Sequence, residues 1–327
     1  MDCSRSAPFG VAEFPESNSI LRAISTLMPV FNAGPYLEPA IESLRAQTFS
    51  DWELIAIDDG STDDSAETLR RCAKIDNRIR PLFQKENRGI PATRNLGLAQ
   101  MRGEYFAFLN HDDVALPTRF QEQIDFLRAN EDVDLVGTAI ENVNERGERI
   151  NIMQMPESDL EIRWMALFDC PIRHSALMAR AKAFVDLRYD ESMPINSDYD
   201  FLSRAIRKLK AANLPRVLVQ YRKHPKNTSR TRHDEFVESG VRIARAAIAH
   251  ALPEFAIDDN DVAAIRATLL GYKKNESRRS VPEMNRALEL YLDLFEAFAE
   301  KYRDHPTLAK LRDAVATPKD FASKGST

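Results

Sequence analysis

From Ala23 to Asn110, short apolar runs alternate with segments of helical period, and the connections between them are short. The run AISTLMPVF ends at the turn Asn32-Ala33-Gly34-Pro35. PYLEPAIESLRAQT follows, with Leu37, Ala40, Ile41 and Leu44 spaced along one helix face. WELIAIDDGS is a second apolar run, and DSAETLRRCA reads as a helix with an acidic first turn. IRPLFQ and EYFAFLN are further strands on either side of the helix PATRNLGLAQM. Apolar strands separated by helices bury both faces in a parallel sheet covered on each side. Ligands of such sheets bind beyond the carboxyl ends of the strands. Asn32, the pair Asp58-Asp59 and the run Asn110 to Asp113 each end a strand, so all fall on that one edge.

After DVDLVGTAIENV the pattern loosens. ERGERINIMQMP predicts a hairpin with Gly147 in the turn, and DLEIRWMALF an amphipathic helix. HSALMARAKAFVDL fits strand and helix equally. SDYDFLSRAIRKL is a helix with an acidic start, and RVLVQYRKH a strand ending in polar residues. From about Asp234 the chain is helical throughout, and KDFASKGST is expected to fray. The expected organisation is a tail over 1–22, an α/β domain over 23–233 and a helical region over 234–327.

Composition excludes several classes. The 327 residues are 43% apolar and 29% charged, as in a soluble chain with a sizeable core. The net charge of -5 provides no basic field for nucleic acid. Cys3, Cys72 and Cys170 form neither a metal pattern nor a disulfide framework, which points to a reducing cytosol. No run approaches the roughly 18 to 20 apolar residues of a membrane helix. MDCSRSAPFGVAEFPESNS lacks the apolar core of a secretory signal.

Five segments carry chemistry, each with a plainer alternative. DDGSTDDS is a turn and helix cap, or else Asp59 faces the crevice and accepts a hydrogen bond from a base, for which the uracil N–H is suited. In YFAFLNHDDVALP, Asp112 and Asp113 follow a strand that reads as wholly buried. Adjacent carboxylates there need donors or a cation. Mg²⁺ or Mn²⁺ held by one or two carboxylates, phosphate oxygens and water meets that need. In ENRGIPATRNLGLAQMRGEY, Arg94 is a solvated helix charge or a contact to phosphate or ribose. In NSDYDFLSR, Asp198 and Asp200 are caps or catalytic carboxylates. YRKHPKNTSR places five basic groups in one loop, free in solvent or set against a diphosphate.

Taken in order, these segments resemble the family 2 glycosyltransferases, which have the GT-A fold. LMPVFNAGPYLEPAIESLRAQTFSDWELIAIDDGSTDDS is similar to that family's nucleotide-binding half. NRGIPATRNLGLAQMRGEYFAFLNHDDVALP is similar to its central segment and metal motif, SDYDFLSR to the segment of the catalytic base, and YRKHPKNTS to the closing loop. The likeness runs from about Ile24 to Arg230 and stops short of the C-terminal helices. It implies an α/β, Rossmann-like, mostly parallel sheet with helices on both faces, followed by a helical extension. It also implies a metal-dependent, inverting, hexosyl-type transfer from a nucleotide sugar, with a UDP-sugar favoured. By the same resemblance Pro29 and Phe31 line the base pocket and Asp59 reads the base. Asp112 and Asp113 hold the metal and the ribose or diphosphate. Asp198 is the general base, and Arg222 and His224 lie by the diphosphate, with His224 also counted as a metal ligand. His174, in CPIRHS, is an acceptor contact or a structural hydrogen bond.

Two positions depart from the pattern: Asn110 stands first in a motif that usually reads Asp-x-Asp-Asp, and Ser197 precedes the base where an acid is common. The expected acceptor is a saccharide or lipid-linked saccharide in cell-surface polysaccharide or glycan synthesis. The expected location is the cytoplasm, with the inner membrane face as an option. The C-terminal helices would dock there, dimerise or buttress the domain. A catalytically inactive nucleotide-sugar-binding protein of the same fold is the alternative. A sugar nucleotidyltransferase is disfavoured, because PVFNAGPYLEP has one glycine and no lysine or arginine where a basic nucleotide loop would stand.

Overall fold

A computed structural model describes residues 22–272 and 280–316. The tail expected over 1–22, Arg22 apart, lies outside the described residues, as do Cys3 and KDFASKGST. The alternation appears as β1 (Ile24–Val30), α1 (Leu37–Arg45), β2 (Trp52–Asp58), α2 (Ser65–Ile75), β3 (Ile79–Phe83), α3 (Ile90–Leu98) and β4 (Tyr105–Phe108). These four strands stand in the order β3-β2-β1-β4, and every pair is parallel. Successive residues of a strand point to opposite faces. Leu27, Ile55 and Ile57 therefore join the core on one face, and Met28, Leu54 and Ala56 the core on the other.

Beyond β4 the sheet is mixed. Next in the chain come β5 (Val114–Ala115), α4 (Arg119–Ala129), β6 (Leu135–Asn144), β7 (Arg149–Met153), α5 (Asp159–Met165), β8 (Met178–Arg180), α6 (Ser197–Ala205) and β9 (Ala211–Lys223). The sheet continues β8-β6-β9-β5, with β7 paired to β6. Only β6 and β9 are parallel here; β8 runs antiparallel to both of its neighbours. The β6–β7 hairpin turns at Gly147, whose φ of 83° favours glycine. HSALMARAKAFVDL contains both local forms: two 3₁₀ turns flank the three residues of β8.

The chain then forms α7 (Thr228–Thr231), α8 (His233–Ala251), α9 (Asp259–Leu270), α10 (Val281–Lys301) and α11 (Leu308–Ala316). Trp164 of α5 explains where they pack. Its ring meets Tyr291, Phe295 and Phe298 of α10 at 5.3, 5.2 and 5.1 Å. Its indole N–H donates to Tyr291 Oη at 3.1 Å. One apolar core thus runs from Leu27 and Phe108 in the sheet to Phe298 in α10. Among the described residues no helix is long and apolar enough to cross a membrane.

Candidate active site

The segment after β4 resolves the adjacent carboxylates by turning them apart. Asp113 points inward and is 0% exposed. Its Oδ1 accepts from Arg222 N at 2.9 Å, and its Oδ2 accepts from the Ser175 hydroxyl and from Asn110 Nδ2 at 3.3 Å. Burial, and then the charge of Asp112, push the Asp113 carboxyl well above the ordinary range. Asp112 lies 3.0 Å from His224 Nε2 and accepts from Asn227 Nδ2 at 3.3 Å. Burial alone would raise its pKa. The His224 hydrogen bond, with the charges of His111 and His224, outweighs that and holds it below the ordinary range. The two carboxyls thus face different partners, Asp113 the backbone of β9 and Ser175, Asp112 the His224 ring and Asn227.

Of the metal set expected from the sequence, the structure brings Asp112 and His224 together and ties Asp113 to internal donors. Among the described residues no group of three His, Cys, Asp or Glu side chains converges. The His224 ring stacks on Tyr36 at 4.9 Å, and its Nδ1 is buried without a hydrogen-bond partner. Asp112 Oδ2 and His224 Nε2, 3.0 Å apart, form a carboxylate–imidazole pair that fits a divalent cation drawing the rest of its shell from phosphate and water.

The ends of β1 and β2 form the adjoining part of the edge. Asp59 is 3% exposed, and its carboxylate accepts from Gln84 Nε2 at 2.7 Å, Arg88 N at 2.8 Å and Gly89 N at 2.9 Å. It therefore clamps the loop before α3. Gly60 lets that loop approach: its φ is 73°, and a Cβ would stand 2.7 Å from the Glu86 carbonyl carbon. Asp58, one residue earlier, is buried with Oδ1 unpartnered. The paired acids in WELIAIDDGS were the signal for it, since strand alternation sends the two to opposite faces. Phe31 sits at the rim, 41% exposed, and the Pro29 carbonyl lies 3.1 Å from His111 Nδ1.

The remaining expected residues divide into one largely unengaged carboxylate and three occupied groups. Asp198, in the first turn of α6, accepts only from Tyr199 N at 3.0 Å among the described residues, whereas Asp200 pairs with Arg204 at 2.7 Å. Arg94 is buried, donates to Ser197 Oγ at 3.0 Å and lies 5.3 Å over the Tyr189 ring. His174 is enclosed: Nε2 meets Tyr189 Oη at 2.6 Å, and the ring packs edge-on to Phe108 at 4.6 Å. Burial, then the charges of Arg94 and Arg119, hold it well below the ordinary imidazole range. The Arg222 guanidinium is committed to backbone, donating to the carbonyls of Asp112 at 3.0 Å, Asn144 at 3.3 Å and Glu145 at 3.2 Å.

Three residues had no sequence signal of their own. Ser175 and Asn227 hold the two carboxylates. Arg119 lies fully buried beneath the edge, donating to the carbonyls of Phe108 and Leu177 at 2.9 and 3.2 Å. Burial lowers its pKa to about 9, partly offset by the charge of Asp113.

Known proteins resemble this chain in sequence and in fold. The family model described as Glycosyl transferase family 2 matches residues 25–184. An uncharacterized glycosyltransferase of Haemophilus influenzae is 31% identical over 72% of this chain and 76% of its own length. One from Rickettsia conorii is 31% identical over 65% of this chain, but the match spans only 36% of that longer protein. S. aureus TarS 1–349 in complex with UDP-GlcNAc superposes with a TM-score of 0.60 at 17% identity, covering 92% of this chain and 90% of that one. The mannosyltransferase PcManGT from Pyrobaculum calidifontis, in complex with GDP-Man and Mn2+, gives 0.55 at 15% identity over 98% and 90%. At such identities the structural likeness establishes the fold, an α/β GT-A-like sheet with C-terminal helices.

Proposed function

Because the chain belongs to glycosyl transferase family 2, we propose that it transfers a hexosyl group from a nucleotide sugar to an acceptor hydroxyl with inversion. The observation that carries this reading is the Asp112–His224 pair at 3.0 Å on the same strand-end edge as Asp59, with the largely unengaged Asp198 on the adjoining α6. Asp112 and His224 would hold Mg²⁺ or Mn²⁺, which offsets the charge of the leaving nucleoside diphosphate when bound. Asp198 would take the proton of the acceptor hydroxyl as it attacks the anomeric carbon from the opposite side. Pro29 and Phe31 would border the base. Asp59 would act there through the loop it clamps, and Arg94 through Ser197. The acceptor would be a saccharide, free or lipid-linked, in cell-surface glycan assembly at the cytoplasmic side. Residues 23–233 would form the catalytic unit and 234–327 its buttress.

A UDP-sugar is the favoured donor, in keeping with the UDP-GlcNAc bound by the TarS neighbour; PcManGT, with GDP-Man, supports a guanine donor as the competitor. Calorimetry with UDP and GDP, each with and without Mn²⁺, separates them. One nucleotide should bind, and more tightly with the metal. Absence of binding by both would end the donor reading, and tight binding indifferent to Mn²⁺ would end the metal assignment. The change to Asn110 favours an inactive binding protein as the second reading. Metal-dependent release of free sugar from the donor would exclude it.

A further inference from the structure

Helices α5, α6, α8 and α10, with the residues that follow them, enclose a cavity of about 90 Å³, well above the roughly 10–15 Å³ that one water needs. Leu167, Ile206, Ala247 and Phe298 line it and are buried, so its floor is apolar. Arg207, His250 and Lys301 line it as well and are exposed, so its mouth is basic. Arg163 completes the basic set, and no aspartate or glutamate lines the space. None of the residues assigned to the strand-end edge takes part.

Helix C-termini collect cations, because their last carbonyls lack partners within the helix. Helices α6, α8 and α10 all end beside this cavity, and that accounts for two of the four basic groups. Arg163 donates to the carbonyls of Ile206 and Leu209, the latter at 3.1 Å, and pairs with Asp159 at 2.6 Å. Lys301 donates to the Ala251 carbonyl at 2.6 Å, which uses one of the N–H donors of its ammonium. Capping does not account for Arg207 and His250. Among the described residues neither side chain has a hydrogen bond or ion pair. Asp200, whose charge reaches Arg207, is already held by Arg204 at 2.7 Å. Burial, then the charges of Arg207 and Lys301, lower the His250 pKa, as expected where cations gather without a counter-ion.

We infer that this cavity binds a phosphate monoester with a short apolar substituent, the phosphate at Arg207, His250 and Lys301 and the substituent on Leu167, Ile206 and Phe298. A phosphate monoester carries about -1.5 to -2 charges at pH 7, which matches the fixed charges of Arg207 and Lys301, and it offers three acceptor oxygens to their donors. Bound there, it would join the last turn of α6, whose first turn carries Asp198, to α8 and α10. The inference goes beyond the donor site and stands without it.

The test is calorimetry on the full chain with butyl phosphate, inorganic phosphate and butanol. Butyl phosphate should bind saturably and about tenfold or more tighter than butanol, the scale of one charge-assisted contact. It should also bind about threefold or more tighter than inorganic phosphate, the scale of one buried methylene. The double variant Arg207→Gln, His250→Gln changes exposed side chains that reach no partner, so it should fold, and it should weaken butyl phosphate about tenfold or more. Phosphatidylcholine vesicles with and without phosphatidic acid identify the source of the ester. Capture that needs phosphatidic acid and is lost in the double variant supports a lipid headgroup, and butyl phosphate binding without capture supports a soluble ester. No saturable binding of butyl phosphate overturns the inference, and so does equal binding of butanol. Equal binding of inorganic phosphate overturns it too, since the apolar floor would then contribute nothing. Undiminished binding in the double variant puts the phosphate elsewhere and overturns it as well.

Discussion

Two neighbouring aspartates show how far one side chain's direction governs its role. Asp113 is a buried joint between the segment after β4, strand β9 and Ser175, while Asp112 faces His224. Asp198 and Asp200 differ in the same way, since only Asp200 is held by an arginine. Asp198→Asn should lower turnover by about 10² to 10⁴ and leave donor affinity within a few-fold, because size and capping are kept and the basic carboxylate is lost. Near-normal turnover would remove Asp198 from the chemistry.

His174 yields a prediction for pH. An unfolded imidazole takes up a proton below about pH 6.5, whereas burial holds the folded one well below that range. The unfolded state therefore binds more protons as pH falls, and stability drops by up to about 1.4 kcal/mol per pH unit below 6.5. His174→Gln keeps a partner for Tyr189 and cannot titrate. Its melting temperature should be lower than wild type at pH 7.5 yet fall less between pH 7 and pH 5.5. An identical fall in both proteins would mean that other groups carry the acid sensitivity.

At the scale of elements, α6 is held from its first residues. Asn196 precedes it in the left-handed region, with φ 57°, and its Nδ2 donates to Phe236 O at 2.7 Å and Ser239 Oγ at 2.9 Å in α8. The helix bearing Asp198 is thus fastened to the C-terminal helices. Asn196→Ala loses both bonds and strains a residue that asparagine tolerates, at a cost of about 1–3 kcal/mol. Turnover should fall more than donor affinity, as read by kcat against nucleotide Kd. Equal falls would place the effect in general stability. The turn after β2 makes a parallel case. Gly60→Ala brings a Cβ against the Glu86 backbone and should disrupt the loop that Asp59 holds, weakening nucleotide binding by about tenfold or more. Unchanged nucleotide affinity in a folded variant would separate that loop from the donor.

On the scale of the whole molecule, the C-terminal helices complete a core that the sheet leaves open. Trp164 is fully buried against α10, and Arg266 of α9 reaches inward to the Phe168 carbonyl. A chain ending at residue 233 would expose Trp164, Leu167 and Phe168 together. Each large side chain is worth about 1.5–3 kcal/mol on burial, so the truncated protein should aggregate or melt without cooperativity. A soluble monomer with a sharp melting transition would show that the first 233 residues suffice for the core.

The sequence by itself determined the alternation of strands and helices, the edge on which Asp59 and Asp112 gather, and the hairpin at Gly147, because these follow from local periodicity and turn chemistry. Only the tertiary structure decided which acid faces inward, that the Arg222 guanidinium is committed to carbonyls and that His174 is enclosed. It also decided that β8 enters the sheet antiparallel. The two residues of β5 and the three of β8 are too short for any period to register. The Asp113–Arg222 bond joins residues 109 positions apart, and no local pattern encodes a partner at that distance. Side-chain direction at such a place is set by which strand packs alongside, and that is known only once the sheet has formed.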